Sequence, residues 1–225
     1  HRTLGLVFVV PLVLLGLLAW IYSDKPLVFD SIGPALLVLF PFVIMFLITS
    51  ITMLRERSSG TLERLLTMPV GKLDILLGYA LAFSALAVAQ AALASLVAVH
   101  IYGLDVHGPQ WFLIVVALAD ALLGATLGLA ASAFARTEFQ AVQFMPAFVL
   151  PQALLCGLLV PLDKLPTVLE FIARLLPLTY AIEAMNHVAR EVTLAPSTYQ
   201  DVAVVLGFAL AAVLLGAATL RRKSK

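Results

Sequence analysis

Six apolar stretches of about 20 residues or more constrain the fold more than any other feature; five carry no charged side chain, and the fourth along the chain is interrupted only by Asp120. An α-helix needs about 20 mainly apolar residues to cross a bilayer, and its backbone satisfies its own hydrogen bonds there. The stretches also lack the alternation of a membrane β-strand. The sequence therefore predicts an all-α membrane protein with six transmembrane helices. These predicted spans lie near residues 4–22, 32–54, 75–102, 110–135, 139–161 and 202–220.

Composition excludes the main classes of soluble protein. The 225 residues are 62% hydrophobic and 12% charged, whereas about 25% of residues are charged in an average soluble domain. A net charge of +1 offers no basic surface for nucleic acid, and the single cysteine cannot form an internal disulfide. His100, Asp105 and His107 are too sparse to indicate a metal site, so none is predicted.

The distribution of basic residues predicts the orientation, because cytoplasmic loops of membrane proteins are enriched in Lys and Arg. Four basic residues fall on one side of the predicted spans: Lys25, Lys164, Arg174 and Arg190. Ten fall on the other side: Arg2, Arg55, Arg57, Arg64, Lys72, Arg136, Arg221, Arg222, Lys223 and Lys225. We therefore expect a multi-pass protein of the cytoplasmic (inner) membrane with both termini in the cytoplasm. Since the chain begins with His, we also expect a further segment before it.

Two connections are long enough to contain structure of their own. The external segment 163–201 contains an apolar stretch with helical spacing at 168–176, followed by a more polar stretch at 180–192. It predicts a helical hairpin, either external or re-entrant. In the cytoplasmic loop 55–72, Leu62, Leu65 and Leu66 form an apolar stripe between the potential caps Ser58 and Ser59 and the helix-stopping Pro69. This pattern predicts an amphipathic helix near 59–68, which would either seat in a partner's groove or lie on the inner leaflet.

The residues of this loop resemble a known family. Glu56-Arg57-x-x-Gly60-Thr61-Leu62-Glu63-x-Leu65, followed by Pro69 and Gly78, resembles the signature of permease subunits of ABC-2 type ATP-binding-cassette exporters. The stretch Leu176-Pro177-Leu178-Thr179-Tyr180-Ala181-x-Glu183-Ala184 resembles the family's segment before the last span. Tyr79 stands where many relatives carry Lys, and Ser58 or Ser59 stands where many carry an acidic residue.

The resemblance implies one transmembrane domain over residues 1–225 and a coupling helix that docks on an ABC ATPase subunit. The implied coupling residues are Glu56, Arg57, Gly60, Thr61, Leu62, Glu63, Arg64, Leu65 and Pro69. It further implies pairing with a second permease copy, as a homodimer or with a related half. ATP and Mg would be used by the partner, because Gly71-Lys72, the only Gly-Lys pair, lacks the other residues of a phosphate-binding loop. We thus expect no cofactor bound by this chain and no enzymatic activity of its own.

Several polar residues within the predicted spans are candidates for a substrate path: Asp120, Gln90, Gln143 and Gln152. An ionisable residue at the middle of a span costs about 2.5–3.5 kcal/mol on insertion scales, so Asp120 should face the bundle interior. The glutamines could instead form ordinary interhelical hydrogen bonds, worth about 0.6 kcal/mol on average. Gly124 and Gly128 predict the close approach of another helix, expected to be span three or five of the same chain; dimerisation through this face is the less favoured alternative.

Together these features favour the permease of an efflux system that exports a hydrophobic or amphipathic, drug- or lipid-like molecule. A six-helix secondary transporter or channel is the alternative, which would need no partner on the cytoplasmic loop. An intramembrane enzyme fits less well. Asp120 is alone within the spans, and His100, His107 and His187 lie near or beyond the outer face.

Overall fold

The computed structural model of the chain describes residues 2–61, 64, 67, 71–135 and 137–219. The regular structure of these residues is helical, which confirms the predicted all-α class for this part of the chain. The helices are α1 (Arg2–Ile21), α2 (Pro26–Ser58), α3 (Lys72–His100), α4 (Gln110–Ala131), α5 (Glu138–Leu155), a short 3-10 helix (Leu162–Lys164), α6 (Thr167–Ala173), α7 (Pro177–Arg190) and α8 (Pro196–Thr219).

Within these described ranges, four helical stretches are long and apolar enough to cross a membrane: Pro26–Ser58, Leu77–His100, Gln110–Ala131 and Pro196–Gly216. A shorter apolar stretch, Val7–Ile21, lies in α1. Helix α5 is not among the four, and it ends at Leu155, whereas hydropathy places the end of the fifth span near 161. The chain turns here because Gly157 has φ +87°, a conformation that a side chain with a Cβ rarely adopts.

Helix α4 is the centre of the bundle and packs against α2, α3, α7 and α8. In its most apolar 18-residue stretch, 72% of the residues are buried within the chain, against 33% in the corresponding stretches of α3 and α8. Leu113, Val116 and Leu123 of α4 are at most 1% exposed. Because most residues of α4 face other helices and not lipid, this helix can carry the ionisable residue Asp120.

The contact between α2 and α4 is made through glycine. A Cβ on Gly124 would collide with the carbonyl oxygen of Phe42, and one on Gly128 would collide with the carbonyl oxygen of Phe46. The predicted close approach is confirmed, but the neighbour is α2; the expectation of span three or five was wrong. Glycines on one helix are sufficient for such an approach, because α2 contacts them with the backbone of Phe42 and Phe46 and not with the large rings of these residues.

Helix α1 lies against α3 and is held there by two side chains. Gln90 Nε2 donates to the carbonyl oxygen of Val7 at 3.2 Å, and Tyr102 Oη donates to that of Leu12 at 2.9 Å. At the far end of the chain, α6 and α7 occupy the segment for which a helical hairpin is predicted. The Thr179 hydroxyl joins them by donating to the carbonyl oxygen of Ala173 at 2.7 Å.

Candidate functional site

The cytoplasmic end of α2 is tied to α5 by an ion pair. Arg55 Nε and Nη2 donate to the two carboxylate oxygens of Glu138 at 2.8 and 3.0 Å. The hydrogen bond from Arg55 lowers the pKa of Glu138 below its ordinary value, so the carboxylate is charged at neutral pH. Both side chains are exposed, and such pairs add little to stability. The two-point geometry nevertheless fixes the orientation of one helix end relative to the other.

A second contact ties the same end of α2 to α3. Glu56 and Tyr79 share a side-chain hydrogen bond. The next residue, Arg57, is partly buried, and its Nε has no hydrogen-bond partner among the described residues. Glu56 and Arg57, both predicted coupling residues, thus belong to the junction of α2 with the bundle.

Gly60 lies just beyond the end of α2 and has a φ of +76°. Helical hydrogen bonding resumes at once, with Arg64 N donating to the carbonyl oxygen of Gly60 at 3.1 Å. Thr61, Arg64 and Thr67 are helical and exposed, and their spacing of three residues places them along one side of the helix. Leu62, Glu63, Leu65, Leu66 and Pro69 lie outside the described residues, so the amphipathic helix near 59–68 stays a prediction.

The segment returns to the bundle through a capped helix start. Gly71 N donates to Asp74 Oδ2 at 3.0 Å, which closes a capping arrangement at the first turn of α3. A carboxylate in this turn also interacts favourably with the helix dipole. The segment between Ser59 and Gly71 is therefore bounded by two fixed helix ends, one bonded to Glu138 and Tyr79 and the other capped by Asp74.

Asp120 lies in the interior of the bundle. Its side chain is completely buried, and both carboxyl oxygens are without a hydrogen-bond partner among the described residues. The carboxyl group is close enough to Cys156 to act on it electrostatically. Burying a polar group without a hydrogen-bond partner costs free energy, and such groups are uncommon in folded proteins.

The three predicted glutamines do not line one common substrate path with Asp120. Gln152 is 4% exposed, and its Oε1 accepts a hydrogen bond from Leu178 N at 3.4 Å, which joins α5 to the start of α7. Gln90 is buried against α1, as described above. Gln143 is exposed on α5. Asp120 and Gln152 stay candidates for a path on the α5 and α7 side, whereas Gln90 faces a different helix.

Sequence reasoning missed the roles of Arg55, Tyr79 and Glu138. The sequence does contain an indication of the role of Glu138, which is one of few acidic residues on the predicted cytoplasmic side. A carboxylate surrounded by basic residues favours an ion pair, although the sequence alone does not identify the partner.

An all-helical chain with several helices of membrane-spanning length and a buried carboxyl group at its centre is a multi-pass membrane protein. The family model described as ABC-2 type transporter matches residues 3–189, which is well over half of the chain. The chain belongs to this family and is an ABC-2 transporter permease domain, a domain that lacks a nucleotide-binding site. The resemblance found in the loop and before the last span is thereby confirmed.

Three relatives illustrate the range of the family. ABC transporter G family member 20 of Dictyostelium discoideum is 28% identical over 71% of this chain and 22% of its own length. Probable multidrug ABC transporter permease YbhS of Escherichia coli (strain K12) is 28% identical over 64% of this chain and 38% of its own. Linearmycin resistance permease protein LnrN of Bacillus subtilis (strain 168) is 28% identical over 61% of this chain and 35% of its own length. The chain thus spans less than half the length of these relatives.

Proposed function

We propose that the chain is the membrane-spanning part of an ATP-driven exporter that moves a hydrophobic or amphipathic, drug- or lipid-like molecule out across the cytoplasmic membrane. The names of two relatives, a probable multidrug permease and a linearmycin resistance permease, favour a substrate of this kind. ATP and Mg would be handled by an ABC ATPase subunit or domain. Two permease copies would pair, each with six spans and cytoplasmic termini.

The observation that carries this proposal is the arrangement at the cytoplasmic end of α2. The segment after Ser59 begins next to the Arg55–Glu138 and Glu56–Tyr79 contacts. A push on the segment would therefore reach α2, α3 and α5 together. This connection suits a coupling element, with contact to the ATPase through Gly60, Thr61, Leu62, Glu63, Arg64, Leu65 and Pro69, and with Glu56 and Arg57 at its base.

The substrate path is proposed along Asp120 and Gln152, with Gln90 and Gln143 as weaker candidates. Asp120 has no partner in the conformation described, whereas a movement of α5 against α4 would open the space beside Cys156. In that state the carboxyl group would contact water or a polar group of the substrate.

The test is ATP-dependent transport in membrane vesicles that contain the chain and its ATPase. Gly60→Pro and Glu63→Arg should abolish coupling, since proline cannot adopt φ +76° and arginine reverses the charge of the docking face. Gly103→Pro is the matched control, because Gly103 also has positive φ, at +72°, in the turn after α3. Normal transport in both coupling variants would contradict the proposal. So would the absence of any ATP-hydrolysing protein when the chain is purified gently from its native membrane.

A further inference from the structure

A cavity of about 530 Å³ opens at the end of α5 opposite to Glu138. The turn at Gly157, the short 3-10 helix, α6 and α7 form its walls. Its volume lies within the range of about 300–1,000 Å³ that is typical of small-molecule sites. Pro161 and Leu162 supply apolar surface, and Cys156 is a buried residue of the lining. The cavity can therefore hold both an apolar and a polar part of one molecule.

The charges that line the cavity leave it negative. Arg174 Nε and Nη2 both donate to Glu170 Oε1, at 3.1 and 2.9 Å, so this pair is internally neutralised. The remaining carboxylates are Asp163, Glu183 and Glu191, whereas Arg190 is the remaining guanidinium. Burial, and next the charge of Asp201, raise the pKa of Glu183, although Arg174 and His187, which also line the cavity, act to lower it.

The cavity also has a hydrogen-bond acceptor without a donor. Asn186 Oδ1 is buried and has no partner in the described part of the chain. A buried acceptor regains its lost hydrogen bond only if a donor enters. Excess negative charge combined with an unpaired acceptor selects a ligand that brings N–H groups and positive charge.

The arrangement of the side chains favours an organic cation over a metal ion as the ligand. Among the residues that the structure describes, no three His, Cys, Asp or Glu side chains converge in a way that could hold a metal. We propose that this cavity binds the ammonium group of an organic cation at Glu183 and Asn186, with the apolar part of the molecule against Pro161 and Leu162. The inference rests on the proposed function, since it names the class of molecule that the exporter would release on this side.

The experiment measures equilibrium binding to the chain in phosphatidylcholine nanodiscs by calorimetry, with empty discs subtracted. Three probes share one apolar group: 4-phenylbutylammonium, 4-phenylbutan-1-ol and 4-phenylbutanoate. The ammonium should bind at least about tenfold more tightly than the alcohol, a difference of about 1.4 kcal/mol, and the carboxylate should not bind. Added salt should weaken binding of the ammonium alone.

Glu183→Gln should remove most of the preference for the ammonium. Asp163→Asn and Glu191→Gln change exposed residues, so folding should tolerate them, and together they should also weaken ammonium binding severalfold. Asp24→Asn, an exposed carboxylate elsewhere in the chain, is the matched control and should leave binding unchanged. Equal binding of alcohol and ammonium, or unaltered binding in Glu183→Gln and in the double variant, would overturn the proposal. Because no ATPase is needed, failed transport with binding intact would count against the proposed function and not against this site.

Discussion

The guanidinium of Arg55 and the carboxylate of Glu138 meet through two hydrogen bonds although 83 residues separate them in sequence. Arg55 lies in the last turn of α2, and Glu138 lies in the first turn of α5. The pair connects the segment proposed to receive the ATPase with the helix that ends at the ammonium cavity.

Charge reversal at Glu138 tests this link. Glu138→Arg should reduce ATP-driven transport severalfold while ATP hydrolysis continues, because two guanidinium groups repel and α2 no longer orients α5. The combined change Arg55→Glu and Glu138→Arg should restore transport, since the pair is re-formed with its partners exchanged. Transport and hydrolysis are measured in the same vesicles, with Asp24→Arg as an exposed control. If the combined variant is no better than the single one, the pair does not transmit the movement.

Replacement of Tyr79 tests the second contact of α2. Tyr79→Phe removes the hydroxyl that bonds to Glu56. Because the site is partly exposed, the loss should be about 1 kcal/mol of stability. Tyr79→Lys should recover part of it, since an ammonium group also pairs with the Glu56 carboxylate. Thermal unfolding of the three proteins in one detergent measures the effect, and an unchanged midpoint for Tyr79→Phe would show that the hydrogen bond contributes nothing.

Added methyl groups test the contact between α2 and α4. Gly124→Ala and Gly128→Ala should each lower stability by about 1–3 kcal/mol, because the Cβ collides with backbone carbonyl oxygens that cannot turn aside. Gly207→Ala in α8 is the matched control. A Cβ there meets nothing within 4 Å, so the higher helix propensity of alanine should leave stability equal or up to about 1 kcal/mol higher. Similar unfolding midpoints for all three variants would contradict the described packing.

The raised pKa of Glu183 predicts how stability depends on pH. Between the ordinary value of 4.5 and the raised pKa, the folded protein binds more protons at this site than the unfolded chain does. Stability should therefore fall as pH rises through this window and stay lower above it. Glu183→Gln should flatten this part of the profile and raise stability at neutral pH relative to the unaltered chain. Unfolding midpoints from acid to neutral pH at fixed ionic strength measure both effects, and parallel profiles would refute the assignment.

Local patterns predicted the helices, because a run of apolar residues in a bilayer has few alternatives to a helix. The same patterns missed the end of α5. Hydropathy continues to Leu162, whereas the positive φ of Gly157 is a backbone property that composition does not report. Glycine spacing indicated a close helix contact without naming the partner. Partners that are distant in sequence, such as Arg55 with Glu138 or Gln90 with Val7, depend on how the helices are arranged, and that arrangement is not encoded in any one segment.

The glycine contact has a consequence for the motion of a transporter. With the backbone of Phe42 and Phe46 set against Gly124 and Gly128, and with the small Thr49 side chain beside Gly128, α2 and α4 approach more closely than helices separated by large side chains. The two helices should therefore behave as one stiff lever that tilts as a whole. A displacement at Arg55 should then move α2 and α4 together, and the Arg55–Glu138 pair should pass the same displacement to the start of α5.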